Sequence, residues 1–178
     1  MSVPKNLYEK FINLNYEVIT QKDNFTLSKA GNIYLIKGIS IKSQDKIINH
    51  LTSSQELVKY HPSIVHIEDL SEELRFIRVK PKMKYVEMSY VDRLENWKKI
   101  VDDNIVYFIS KLVPLTEEIK NKTNDNDIIY IEEGLILGRI ENNNVEVFIK
   151  HDTLEDVICD IIAINFLIII IEFEKSNI

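Results

Sequence analysis

One cysteine, four glycines and four prolines are all that 178 residues contain of these types. The lone Cys159 admits no internal disulfide and cannot alone make a thiolate metal site, so a disulfide-stapled scaffold is excluded and a reducing, cytoplasmic setting is expected. Scarce glycine and proline leave no flexible linker to divide the chain. Gly31, Gly38, Gly134 and Gly138 have spacings that fit neither a phosphate-binding loop nor a dinucleotide fingerprint, and no G-x-S-x-G is present. Positive charge is also short: 22 Lys and Arg face 28 Asp and Glu, a net charge of -6 with a pI near 5.3. That balance lacks the basic footprint of a nucleic-acid binder, so no nucleic-acid partner is expected. Long apolar runs are missing too. The N-terminal stretch through Val18 holds no signal-peptide core. Ile161 to Ile171, interrupted only by Asn165, is shorter than the ~20 residues a spanning helix needs, and Asp160, Glu172 and Glu174 bound it.

What remains is 45% hydrophobic and 28% charged, the composition of one folded domain. Periodicity predicts a short helix over Pro4 to Asn15, with Pro4 in its first turn. Alternation between Tyr16 and Ile41, broken by Asp23-Asn24 and Ala30-Gly31-Asn32, predicts a three-stranded meander. Ser43 to Lys59 reads as a helix closed by His61-Pro62, and Ile64 to Leu70 and Leu74 to Val79 as two strands. Leu94, Trp97, Ile100 and Val101, then Val106, Ile109, Leu112 and Val113, have helical spacing, so a pair of helices is expected over 90–104 and 105–121. Asn121 to Asp127 reads as an exposed loop. Ile128 to Ile131, Leu135 to Ile140 and Val145 to Ile149 read as strands, the last two forming a hairpin. Thr153-Leu154-Glu155-Asp156 has capping-box spacing and opens an apolar helix for the core or an oligomer contact.

Few residues offer chemistry. The four histidines, His50, His61, His66 and His151, are the first candidates for a metal or a general base, but His61 and His66 stand five apart at a loop-to-strand junction, which is not the i, i+4 spacing of a helical zinc site; a turn and a strand-surface histidine are the simpler expectation. The acidic pairs, such as Asp102-Asp103 and Glu132-Glu133, point apart on any regular element and read as solvated charge. Arg75, Arg78, Lys80, Lys82 and Lys84 make the one basic stretch, a docking patch or a lysine-guarded edge strand. Together with the aromatic segment beyond it, this marks Arg75, Arg78, Lys80, Tyr85, Tyr90 and Trp97 as the expected partner-contact residues.

The element order, with Ile33-Tyr34-Leu35-Ile36-Lys37, Glu56 on the next helix and His61-Pro62-Ser63-Ile64-Val65, resembles a reduced protein-kinase architecture. No glycine-rich loop, catalytic aspartate or metal-binding Asp-Phe-Gly accompanies it, so the resemblance implies a pseudokinase. The helical stretch from Asp92, the Asn-rich hairpin and the closing Leu154 to Cys159 helix are similar to the cytosolic pseudokinase domain of the EssB/YukC family of type VII secretion. On that resemblance the fold is α+β and two-lobed, an antiparallel N-lobe sheet with one helix over 1–87 and a mainly helical C-lobe over 88–178, all one domain. The function implied is a non-catalytic protein-binding module without cofactor or metal, in the cytoplasm or at the inner face of the membrane. A protein is its expected partner; a second copy, or a membrane reached through a partner or the C-terminal segment, would be further ones. Two other readings stand beside it. The opening elements also resemble a Holliday-junction-type nuclease whose acidic residues are replaced by Thr26, Lys37 and Ile39, an inactive scaffold. A small inhibitor that covers a partner's surface fits the acidic charge. A divergent kinase with Lys37 paired to Glu56 is the enzymatic rival.

Overall fold

A computed structural model describes residues 3–61, 63–82, 85, 87–122, 127–152 and 154–176. Pro62, Lys84, Thr153 and positions 123–126 of the Asn-rich loop lie outside the described residues.

Four tight connections organise the chain. Strands β1 (Glu17–Lys22), β2 (Phe25–Ala30) and β3 (Ile33–Ile39) are joined by Asp23-Asn24 and Gly31-Asn32; β6 (Tyr90–Asp102) and β7 (Ile105–Val113) by Asp103-Asn104; β9 (Gly134–Glu141) and β10 (Asn144–His151) by Asn142-Asn143. The first residue of each connection is left-handed, with φ of 53° at Asp23, 61° at Gly31, 57° at Asp103 and 53° at Asn142. Glycine, aspartate and asparagine tolerate that region best, and two-residue connections of this kind match the twist of paired strands. With β4 (Ile64–Asp69), β5 (Leu74–Val79) and β8 (Ile128–Ile131), the strands form one sheet in the order β1-β2-β3-β10-β9-β7-β6-β5-β4, antiparallel throughout except that β8 adds in parallel to β6. The non-local pairing of β3 with β10, Tyr34 opposite Ile149 and Ile36 opposite Val147, joins the two ends of the sequence.

Helices cover both faces. Helix α5 (Asp156–Lys175) packs Cys159, Ala163, Leu167, Ile170 and Ile171 against Leu27, Tyr34, Ile36, Ile136, Val147 and Ile149. Helices α2 (Gln44–Thr52) and α3 (Ser54–Tyr60) lie on the same side, sharing Ser53 as C-cap of one and N-cap of the other, where a single helix over Ser43 to Lys59 is expected from sequence. On the opposite face α1 (Val3–Ile12) buries Phe11 against Leu35, Tyr107, Leu137 and Phe148, and α4 (Glu117–Asn121) closes over Phe76, Leu94 and Leu115.

The kinase-like expectation is overturned here. Residues 88–178 are not a mainly helical lobe; they supply β6 to β10, half of the 10-stranded sheet, and one long helix. The expected helices over 90–104 and 105–121 are the longest hairpin in the molecule, with only α4 helical. The reason is burial on both sides: Val91 packs toward α5 while Leu94 packs against Phe76 and Leu115, so the apolar pattern loses its two-residue alternation and can be read as helical. Lys37 pairs with Glu146 of β10 at 3.2 Å rather than with Glu56 of α3.

Candidate functional site

Strand geometry sets the site. In β6, Arg93 and Glu95 are two residues apart and therefore share a face, and Glu95 lies directly opposite Arg75 of β5. That face is the one beneath α5, and two guanidinium groups converge there on one carboxylate. Arg75 donates to Glu95 Oε2 from Nε at 3.2 Å and from NH2 at 2.9 Å; Arg93 Nε stands 2.8 Å from Glu95 Oε1, close but off the hydrogen-bond axis. Side-chain exposure is 3% for Arg75, 2% for Glu95 and 11% for Arg93. Each guanidinium also lies over an aromatic face, Arg75 at 5.5 Å from the Trp97 ring centroid and Arg93 at 5.9 Å from that of Phe166. Burial opposes charge on Arg93 and Glu95. It lowers the pKa of Arg93; in Glu95 the same effect is outweighed by Arg93 and Arg75, which hold the carboxyl below its usual range.

Three buried histidines stand under the helices around this triad. His50 of α2 stacks on Phe173 of α5 with ring centroids 3.8 Å apart and meets His61 edge-on at 4.8 Å. His151 ends β10. All three are at most 2% exposed, and none of their six ring nitrogens has an aligned hydrogen-bond partner among the described residues. Burial pushes His50 down to about 4, His61 to about 3 and His151 to about 4; His50 and Arg93 add to the effect at His61, and Arg93 at His151. Polar groups this deeply placed without partners are uncommon.

Between the triad and α5 lies a cavity of about 30 Å³, with Val79, Val91, Arg93, Ile131, Asn165 and Phe166 among its walls. Asn165, the one polar residue of the apolar run, donates from its amide to the Ile161 carbonyl at 2.9 Å and accepts from the Lys82 backbone N–H at 3.3 Å, tying α5 to the segment that follows β5. A wider cleft of about 200 Å³ lies on the opposite face, by His66, Phe76, Arg78 and Ile119. Its Arg78 is held bidentate by Asp92 at 2.7 Å, and its exposed His66 lies 3.6 Å from Glu68.

The six expected contact residues do not form one surface. Arg75 is inside the triad and Trp97 half-buried beside it, whereas Arg78 points to the other face and pairs with Asp92. Tyr90 carries Arg78 and Lys80 over its ring at 5.3 and 5.1 Å. Only Tyr85 is fully exposed, at 91%, with φ of 72°. His61, expected in a turn, is fully buried, while His66 is on the strand surface as expected. Of the four histidines singled out in the sequence, His50 and His151 join His61 in the buried group; Arg93 and Glu95 are the residues that sequence reasoning missed. Their grouping depends on β6 being a strand.

No family model and no curated protein matches the sequence. Solved structures do. The chain is similar to human STARD10 (TM-score 0.71, 7% identity, covering 96% of this chain and 76% of that one). It is also similar to the lipid transfer and protein localization domain of human StarD13 (TM-score 0.59, 10% identity, 98% and 96% covered). A third likeness is to a STAR-related lipid transfer protein of Xanthomonas axonopodis (TM-score 0.60, 7% identity, 89% and 96% covered). These likenesses replace the pseudokinase, type VII secretion and nuclease-scaffold readings: the chain has the fold of STAR-related lipid transfer domains, a large antiparallel sheet with a C-terminal helix laid across it.

Proposed function

We propose that this chain is a non-catalytic module that holds an amphipathic, lipid-like molecule between α5 and the sheet. The observation that carries the reading is the placement of a charged, partner-poor cluster at the floor of an apolar interior, in a fold whose solved examples include lipid transfer domains. Apolar walls from Val79, Val91, Ile131 and Phe166 suit a hydrocarbon tail, and a few convergent polar groups fix orientation, which is how small-molecule sites are generally built. The cavity is closed down to the volume of a water or two, whereas a lipid-sized site needs roughly 300 Å³ or more. Loading therefore separates α5 from β5 and β6, and the Asn165 contact to Lys82 is the tie that has to part. A cytoplasmic setting fits the single, buried, unpaired thiol of Cys159.

The test is direct. The protein is incubated with vesicles of equal parts phosphatidylcholine and phosphatidic acid, re-isolated by gel filtration and extracted for lipid mass spectrometry. About one lipid per chain, lost when Val91 and Ile131 are both replaced by tryptophan in a variant that still folds, supports the proposal. A re-isolated protein free of lipid refutes it.

A further inference from the structure

The cluster under α5 holds two buried cations and one buried anion. Arg75 and Arg93 share Glu95, so the site carries an excess of one positive charge in a largely buried setting. Three carboxylates on elements around it have cations of their own: Asp92 pairs with Arg78 at 2.7 Å, Asp152 with Lys150 at 3.1 Å and Asp160 with Lys29 at 2.9 Å. The uncharged His61 and His151, whose titration is depressed by burial and to a smaller extent by Arg93, add ring nitrogens without aligned partners among the described residues. A buried excess charge is costly unless something neutralises it. Of the two arginines, Arg75 is the one engaged with Glu95 through two donors; Arg93 meets the carboxylate off-axis and lines the cavity.

We infer that the ligand's head group is an anion, a carboxylate or phosphate on an apolar tail, and that Arg93 is the residue that receives it while Arg75 keeps Glu95 neutralised. This rests on the amphiphile reading above and adds its charge. A charge-assisted contact in a water-poor site favours the anionic head by about ten-fold or more over an uncharged one of the same tail.

Four probes test it, each read by displacement of an anilinonaphthalene fluorophore from the protein: oleate against oleyl alcohol, and oleoyl lysophosphatidate against monooleoylglycerol. The anionic member of at least one pair is expected to bind about ten-fold tighter or more; which pair shows it identifies carboxylate or phosphate as the source. In Arg93→Met the two members of that pair become equal, with the uncharged member's affinity unchanged, and in Arg93→Lys the anion preference persists. Without any amphiphile, Arg93→Met melts at the same temperature as the parent or higher, because it removes the uncompensated charge and leaves Arg75 and Glu95 paired. Equal affinities within both pairs for the parent protein, a preference that survives in Arg93→Met, or a lower melting temperature for that variant each overturn the charge inference while leaving an amphiphile site standing. Binding of none of the four overturns the amphiphile reading and this inference together.

Discussion

Acid should begin to destabilise this protein above the pH at which carboxylates titrate, and three rings set the window. His50, His61 and His151 are buried and neutral, with pKa values pushed down to about 4, 3 and 4 from an ordinary value near 6.5. Because the folded values lie below the unfolded one, the unfolded chain binds more protons between them. Stability is therefore fully present above pH 6.5 and lost as pH falls toward 4. At pH 5 each ring takes away about 2 kcal/mol, the equivalent of the 1.5 pH units between 6.5 and 5, so the three together remove at most about 6 kcal/mol. A whole domain is typically stable by only about 5–15 kcal/mol. Urea unfolding followed by Trp97 fluorescence at pH 7.5, 6.5, 5.5 and 5.0 reads the effect directly. The midpoint should hold between 7.5 and 6.5 and fall steeply below. His50→Phe, which keeps a ring stacked on Phe173, should remove about one third of the slope, and His66→Phe on the exposed strand surface none. A midpoint that stays level from pH 6.5 to 5.0 would show that these rings are protonated or solvated in the folded state, and the account of a dry interior would fail.

Other consequences follow from single contacts. Glu95→Gln leaves two buried guanidinium groups facing a neutral amide and should cost about 3–5 kcal/mol in a thermal melt; an unchanged melting temperature would mean water already reaches them. The glycines separate two kinds of constraint. A Cβ at Gly38 would meet the Asn24 carbonyl oxygen at 2.3 Å, a backbone atom with little room to move, so Gly38→Ala should destabilise by about 1–3 kcal/mol. Gly31 has φ of 61° and open space around it, so Gly31→Ala should cost only the left-handed penalty of about 1 kcal/mol. Denaturant midpoints that rank the two the other way would contradict the packing described at the β1–β2 turn.

Local chemistry was readable from the sequence wherever it acts locally. Asp23-Asn24, Gly31-Asn32 and Asn142-Asn143 announce tight turns because their side chains or lack of one permit the left-handed backbone, and the strands they join stand close to where alternation puts them. The same signal at Asp103-Asn104 was overridden by the spacing of Leu94, Trp97, Ile100 and Val101, which a strand buried on both faces shares with a helix. That one misreading concealed the site. On a helix Arg93 and Glu95 point about 200° apart, whereas on a strand they stand side by side. Asn165 could be singled out as the polar break in an apolar helix, but not what it ties. The rest belongs to tertiary structure alone, since the carboxylate that neutralises Arg75, the burial that strips protons from His50, His61 and His151, and the union of β3 with β10 all join residues 20 to more than 100 positions apart. Side-chain identity fixes what each group can do; only the packing of α5 across the sheet decides which groups meet out of reach of water.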